Sequence, residues 1–429
     1  SSAVKCVLVL SEGFTGYEEK GSVHIIGSQG LTQFCIDCIS QSKGQLNLED
    51  FLSLESYQPL PSLIKAAREL FSSGTLTRIH RAAAATEPTL FECSSIIHKT
   101  AKNKRRALIL ISGVPGAGKT LVGLQLAHAK YLDELSIAKE SGEKPNAAAV
   151  FLSGNGPLTE VLQYELKSAG GDGKSFVRGV HSYVKNFTRG SSSTPPHHVL
   201  IYDEAQRAFD PQQVSAKHHD MSPEFNGLSE PEIFIKFADS VPDWCVVVGL
   251  IGTGQEIHIG EEAGLGQWRS AIDKSNSTDQ WDVYAPNDGT VSSHFKDFPR
   301  VSANDVLELT TTIRFHLATR LYEFVEHVLN GNYSSAKEIS FDLEKHGYNL
   351  RLTHILDRAK EYLSSRYDKN PDARYGMIAS AKDKDLKNHN IPKEWGDPGA
   401  VRNGKYGQWY AEPRGVKGSC CSLESVTTE

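Results

Sequence analysis

Apolar residues in this chain gather in unbroken runs instead of alternating with polar ones. Residues 107–111 (Ala-Leu-Ile-Leu-Ile), 147–153, 198–202 and 244–251 are the clearest cases. Runs this long and rich in β-branched residues predict parallel strands buried on both faces. The stretches between them carry helical patterns. Residues 121–131 read as one helix, and Ser229-Glu230-Pro231-Glu232 has the spacing of a capping box that opens another, through Asp239. Strands alternating with helices predict an α/β fold with a parallel sheet flanked by helices. Four segments separate along the chain: 1–45, with apolar stretches at 4–10 and 22–26 and an amphipathic helix at 31–39; a helical lead-in at 46–100; the strand-rich part, 101–308; and 309–429, with strands expected at 375–380 and 425–429. Within the lead-in, residues 61–71 form a helical pattern with Ser62 as its N-cap.

The chemistry sits at the ends of the apolar runs. The first leads into Gly113-Val114-Pro115-Gly116-Ala117-Gly118-Lys119-Thr120, with Leu121 continuing into the helix. This G-x-x-x-x-G-K-T pattern between a strand and a helix is a phosphate-binding P-loop. Its glycines let backbone N–H groups wrap an anion at the helix N-terminus; Lys119 would reach the β and γ oxygens of ATP, and the Thr120 hydroxyl would hold Mg²⁺. The run at 198–202 ends in Asp203-Glu204-Ala205-Gln206. Ligands of open α/β sheets bind at the C-terminal ends of the strands, which puts both carboxylates beside the P-loop. Asp203 is then a second Mg²⁺ ligand and Glu204 the group that polarises the attacking water. Gln206 and Arg207 admit two readings, a link from the γ-phosphate to bound nucleic acid or a cap on the next helix. The run at 244–251 ends in Gly252-Thr253-Gly254-Gln255, which brings the Gln255 amide to the same edge as a γ-phosphate sensor.

The order P-loop, D-E-A-Q, G-x-G-Q resembles the first motor domain of superfamily 1 helicases. Their third motif is usually G-D-x-x-Q, whereas Thr253 and Gly254 stand here, so no role is carried over for that aspartate. A closer likeness is to P-loop ATPases related to the helicase-like domain of Schlafen proteins. It rests on residues 113–124, Phe151-Leu152-Ser153-Gly154-Asn155-Gly156-Pro157-Leu158, Asp203-Glu204-Ala205-Gln206-Arg207-Ala208 and Gly252-Thr253-Gly254-Gln255-Glu256-Ile257, and spans roughly 46–429. The resemblance implies two RecA-like lobes, the first at 101–308 and the second from 309. In Leu309-Thr310-Thr311-Thr312-Ile313-Arg314-Phe315 it makes Arg314 the arginine that faces the nucleotide across the cleft, an effect worth about 10³ to 10⁵ in rate. It further implies a glycine-containing stretch and another arginine motif after Glu429, so the second lobe is expected to be partial. Ser153 and Asn155, in the turn after the 147–153 strand, sit where helicases touch the nucleic-acid backbone; a plain turn is the other reading. Gln58 is the nearest candidate for reading adenine, against an ordinary surface position. Residues 1–45 resemble the closing strands and helix of a restriction-endonuclease-type nuclease domain. Its D and E-x-K metal set is not recognisable, and a small accessory β-layer is the alternative.

Composition adjusts this picture. No apolar stretch reaches the roughly 18 residues of a membrane span and the N-terminus lacks a signal-peptide pattern, so a cytoplasmic protein is expected. Seven cysteines, an odd number, fit a reducing compartment. Cys35 and Cys38 form a lone C-x-x-C, expected to pack in a core. A net charge of −6 gives no global attraction to nucleic acid, so binding needs a local groove. The densest basic run, Lys102-Asn103-Lys104-Arg105-Arg106, reads as the solvated start of the P-loop strand. His218-His219-Asp220 reads as an exposed loop. The expected activity is ATP hydrolysis with Mg²⁺, coupled to movement on single-stranded DNA or RNA. An ATP-operated switch that recruits a nuclease or protein partner is the alternative, and a role in defence against foreign nucleic acid follows by analogy alone.

Overall fold

In the computed structural model the N-terminal apolar stretches become a small mixed sheet of β1 (Cys6–Leu10), β2 (Tyr17–Lys20) and β3 (Val23–Gly27), in the order β1-β3-β2. Strands β1 and β3 run parallel, β2 and β3 antiparallel. Strand β2 (Tyr-Glu-Glu-Lys) escapes a hydrophobic-pattern search because it is a charged, exposed edge strand. Helix α1 (Leu31–Gln41) follows. Its Cys35 is exposed and Cys38 only half-buried, so the C-x-x-C is not the core pair expected of it. The chain divides into two units, Ser1–Pro59 and Leu60–Glu429. The structure describes residues 6–10, 16–20, 23–41, 80–113, 116–128, 148–168, 176–189, 194–252, 262–287, 289–309, 318–345, 350–370, 373–380, 406–416, 418–422 and 425–428, with 14, 64, 67, 68, 132 and 135. Gln58 and Ser62 lie outside these.

The second unit opens with α2 (His80–Lys102) and then builds β4 (Arg106–Gly113), α3 (Lys119–Ala127), β5 (Ala149–Ser153), α4 (Gly156–Ser168), β6 (Val177–Gly179), α5 (Val180–Thr188) and β7 (Val199–Asp203). It continues through α6 (Pro211–Lys217), α7 (Glu230–Ser240), β8 (Cys245–Gly252), α8 (Glu262–Asp273), β9 (Trp281–Ala285), β10 (Val301–Ala303) and β11 (Glu308–Leu309). The strands form one eight-stranded, all-parallel sheet in the order β10-β9-β4-β8-β7-β5-β6, with β11 beside the upper end of β4. The apolar runs are its strands. In β4, Ala107, Ile109 and Ile111 face a core shared with α2, α3 and α4, while Leu108 and Leu110 face a second core with α5, α7 and α8. Each large side chain buried this way contributes about 1.5–3 kcal/mol, which is why an unbroken run outcompetes alternation here. The capping box at Ser229 forms as the spacing predicts: Ser229 N donates to Glu232 Oε2 at 2.7 Å and Glu232 N to Ser229 Oγ at 3.3 Å.

Two polar readings change. Arg106 is only 7% exposed, not solvated. Its guanidinium donates to the carbonyls of Ala238, Asp239 and Val241 at the C-terminal end of α7, and to Gln280. A cation is favoured at that negative helix end. Arg105 grips Asp282 through two bonds of 2.7 and 3.1 Å. His218, expected to be exposed, is 6% exposed because it closes α6 with its ring 5.8 Å from that of His181.

Beyond the sheet, α9 (Ala318–Leu329) and α10 (Tyr333–Lys345) pack on each other, and α11 (Leu356–Arg366) follows. Strands β12 (Met377–Ser380) and β13 (Ser425–Thr428) form a two-stranded parallel sheet. Helix α12 (Tyr406–Ala411) rests on α4, where Tyr164 donates to Glu412 at 3.1 Å.

Candidate nucleotide site

Strand order brings the motifs together. Strand β8 lies between β4 and β7, so the P-loop strand, the strand that ends at Gly252 and the strand that ends at Asp203 finish side by side. At the head of β4, the loop reaches α3 through Gly116 and Gly118, whose φ values of 79° and 98° belong to the left-handed region that glycine tolerates. Ala117 is buried, Lys119 and Thr120 open the helix, and Leu121 packs beneath. Lys119 Nζ donates to the Gly113 carbonyl at 2.7 Å. A Cβ at Gly113 would come within 2.9 Å of Leu309, so β11 closes one wall of the loop. Val114 and Pro115 lie outside the described residues, as do Gln255 and Arg314.

Asp203 is 5% exposed and faces α3. Thr120 Oγ donates to its Oδ1 at 3.5 Å and Ser153 Oγ to its Oδ2 at 3.4 Å, both long bonds. Burial and the adjacent Glu204 charge push the Asp203 carboxyl up to about 7, against the pull of Lys119 and of the two hydroxyls. Burial also lowers the Lys119 ammonium, opposed by Glu204 and Asp203. Two hydroxyls around a buried carboxylate form a hard, all-oxygen donor set of the kind Mg²⁺ takes, so the residues fit that ion. Ser153 departs from its expected place. It is 1% exposed and its hydroxyl faces the carboxylate, so the side chain does not meet nucleic acid at the surface. Asn155 is exposed, but its Oδ1 accepts from Leu158 N at 3.1 Å and caps α4.

Glu204 holds a left-handed backbone, with φ 58° and ψ 47°, which is uncommon outside glycine and costs on the order of 1 kcal/mol. Three contacts keep it there. Gln206 Nε2 donates to Glu204 Oε2 at 2.8 Å, and the same amide accepts from Gly252 N at 3.1 Å, tying the carboxylate to the end of β8. Arg207 lies 3.6 Å from Glu204 Oε2. Gln206 does not cap the next helix, which Asp210 caps; it bridges the ends of β7 and β8 instead, an arrangement outside both expected readings. Helix α8 presses on the turn from the other side: Trp268 Nε1 donates to the Ala205 carbonyl at 2.9 Å, and a Cβ at Gly264 would stand 1.9 Å from the Gln206 carbonyl oxygen. The positions Gly264 and Trp268, one helical turn apart, are the sequence signal for this clamp, and only the packing gives them meaning.

The all-parallel sheet, the glycine loop at the head of its central strand and the acidic pair two strands away define a RecA-like α/β domain built around a P-loop. The chain belongs to the family described as Schlafen group 3, DNA/RNA helicase domain, whose profile matches residues 106–429. That membership places it among helicase-like domains of nucleic-acid-related ATP chemistry. Comparison with curated proteins returned no match. Among the described residues no helix is long and apolar enough to cross a membrane.

Proposed function

We propose that the protein hydrolyses ATP with Mg²⁺ and couples the reaction to translocation on, or remodelling of, single-stranded nucleic acid. The observation that carries this reading is the convergence of Lys119, Thr120, Asp203 and Glu204 at one sheet edge. Residues 113–121 bind the phosphates, Lys119 contacts the β and γ oxygens, and Thr120 and Asp203 hold the ion. Bound Mg²⁺ supplies charge neutralisation on the phosphate oxygens. Glu204, fixed by Gln206, accepts a hydrogen bond from the attacking water and polarises it. Gln255 senses the γ-phosphate and Arg314 neutralises charge on the transferred group, both from the resemblance to helicases. The exposed turn at 154–156, at the N-terminus of α4, takes a backbone phosphate through main-chain N–H groups. A cytoplasmic setting and defence against foreign nucleic acid complete the reading by analogy with the family. Replacing Lys119 by Ala or Glu204 by Gln should each abolish ATP turnover, and full turnover in either would sink the assignment.

The net charge of −6 favours a second reading, an ATP-operated switch or assembly subunit that recruits a nuclease or another protein without unwinding. A motor's ATPase rises when single-stranded DNA or RNA is added, and a switch's does not.

A further inference from the structure

The capping box that opens α7 uses Ser229 and Glu232 and leaves Glu230, between them, without a part in it. A glutamate is rarely inaccessible unless its charge is used, and Glu230 is 1% exposed. Its use lies at the nucleotide edge. Tyr202 Oη donates to Glu230 Oε2, and Phe209 N donates to the same oxygen at 2.9 Å. In return, Glu230 N donates to the Phe209 carbonyl at 2.9 Å. Tyr202 is the residue before Asp203, and Phe209 lies just past the 3₁₀ turn Ala205–Arg207, so one carboxylate oxygen closes the segment that presents Asp203 and Glu204. The Tyr202 ring is itself fixed, edge-on to Phe234 at 5.1 Å and to Trp268 at 5.5 Å. Burial pushes the Glu230 carboxyl up, and the Phe209 amide and Tyr202 hydroxyl pull it back toward the charged form. The other oxygen, Oε1, has no hydrogen-bond partner among the described residues; His181 Nδ1, 3.7 Å away, is too far. An orphaned carboxylate oxygen inside a protein is destabilising, so packing by itself does not account for this acid.

We infer that Glu230 is a positioning residue for the acidic pair: by holding Tyr202 and Phe209 with one oxygen, it fixes the turn in which Glu204 keeps its left-handed backbone. This rests on the proposed reading of the edge as an ATP-hydrolysing site. A left-handed residue persists where its surroundings over-determine it, and the contacts of Gln206, Arg207 and Trp268 all act inside the turn. Glu230 acts at the two points where the turn leaves and rejoins the rest of the fold. Without it the P-loop keeps its own glycines and helix, so nucleotide should still bind. What is lost is the aim of the Glu204 carboxylate at the attacking water, and a misplacement of about 1 Å can lower a rate about 100-fold. Affinity and turnover should therefore separate.

The test measures steady-state ATP turnover of the full chain, with saturating poly(dT) or poly(U) present, per site that binds a fluorescent, non-hydrolysable ATP analogue in Mg²⁺. In Glu230→Ala, kcat should fall about 10- to 100-fold while the Kd of the analogue changes less than about 3-fold. Glu230→Gln keeps an accepting oxygen for both donors and can turn its NH₂ group toward His181, so it should retain at least about half of the wild-type kcat. Tyr202→Phe removes one of the two donors and should lower kcat about 3- to 10-fold, again at unchanged Kd. It becomes the deciding variant if Glu230→Ala does not fold. A wild-type kcat per binding site in the deciding variant overturns the inference and leaves the proposed function standing. So does a fall in kcat and affinity together, which means a collapsed site, and so does a slow Glu230→Gln chain, which means that the charge matters and the closed turn does not. If the wild type binds the analogue but releases no phosphate from ATP, the hydrolysis reading fails and the inference with it.

Discussion

The central sheet buries charge at both of its edges, and the two edges treat it differently. At the N-terminal ends of the strands, Arg106 donates to three carbonyls and an amide, and Arg105 clasps Asp282. Hydrogen bonding to Asp282 raises the Arg105 guanidinium further above its ordinary value. Each cation there has well-placed hydrogen-bond partners. At the C-terminal ends, Asp203 has two hydroxyls at 3.4 and 3.5 Å, a carboxyl lifted to about 7, and a neighbour with a left-handed backbone. One edge satisfies its charges and the other leaves them poised. Strain and perturbed protonation collect where a ligand is to supply what the protein withholds.

This contrast can be broken in four places. The largest effect belongs to the poised edge: Glu204→Gln or Lys119→Ala should lower ATP turnover roughly 10³-fold while the melting temperature scarcely moves, read by a steady-state ATPase assay beside calorimetry. The satisfied edge should respond in the opposite sense. Arg106→Ala leaves the carbonyls of Ala238, Asp239 and Val241 without that donor and should cost about 3 kcal/mol in urea unfolding, with nucleotide affinity of the folded fraction retained. Loss of nucleotide affinity without loss of stability would mean that the two edges are not separable. Gly264→Ala forces a methyl against the Gln206 carbonyl and should destabilise by about 2 kcal/mol and slow turnover together, because the turn that holds Glu204 must shift.

The smallest effect is the most discriminating. A carboxyl whose folded value is raised to about 7 favours the protonated form, so folding loses stability as pH climbs from the ordinary carboxylate range through 7. Asp203→Asn removes that loss. It should stabilise the nucleotide-free chain by about 1 kcal/mol or more at pH 8 and by much less at pH 5, with turnover abolished at both. An equal change at the two pH values would mean that burial of the carboxylate is not what raises it.

Much of the site could be read from the order of residues, for a physical reason. A P-loop, an acidic strand end and a buried strand are local patterns, and β4, β7 and β8 appear as apolar runs because both faces of each are covered. What could not be read depends on contacts distant in sequence. That β8 lies between β4 and β7 is a property of topology, yet it decides that Gln206 meets Gly252. Ser153 sits in a turn-like context and gives no sign that its register partner is Asp203. Arg106 belongs to a basic run, and only the end of α7, over 130 residues later, turns it from a surface charge into a buried one. His218 is polar in a polar stretch, and its burial at the end of α6, with the His181 ring 5.8 Å away, is set by packing against a residue far back in the chain. Each of these is a polar side chain whose partner lies elsewhere in the chain, while local hydrophobicity reports only whether a residue favours water.

The short strand β11 has a mechanical consequence. Glu308 and Leu309 pair with Ser112 and Gly113, the last two residues before the loop. Tension drawn through Leu309 is therefore delivered, through that pairing, to the start of the glycine loop. If that loop holds a nucleotide as proposed, a load on the C-terminal portion should be felt at Gly113, and nucleotide release should then become force-dependent.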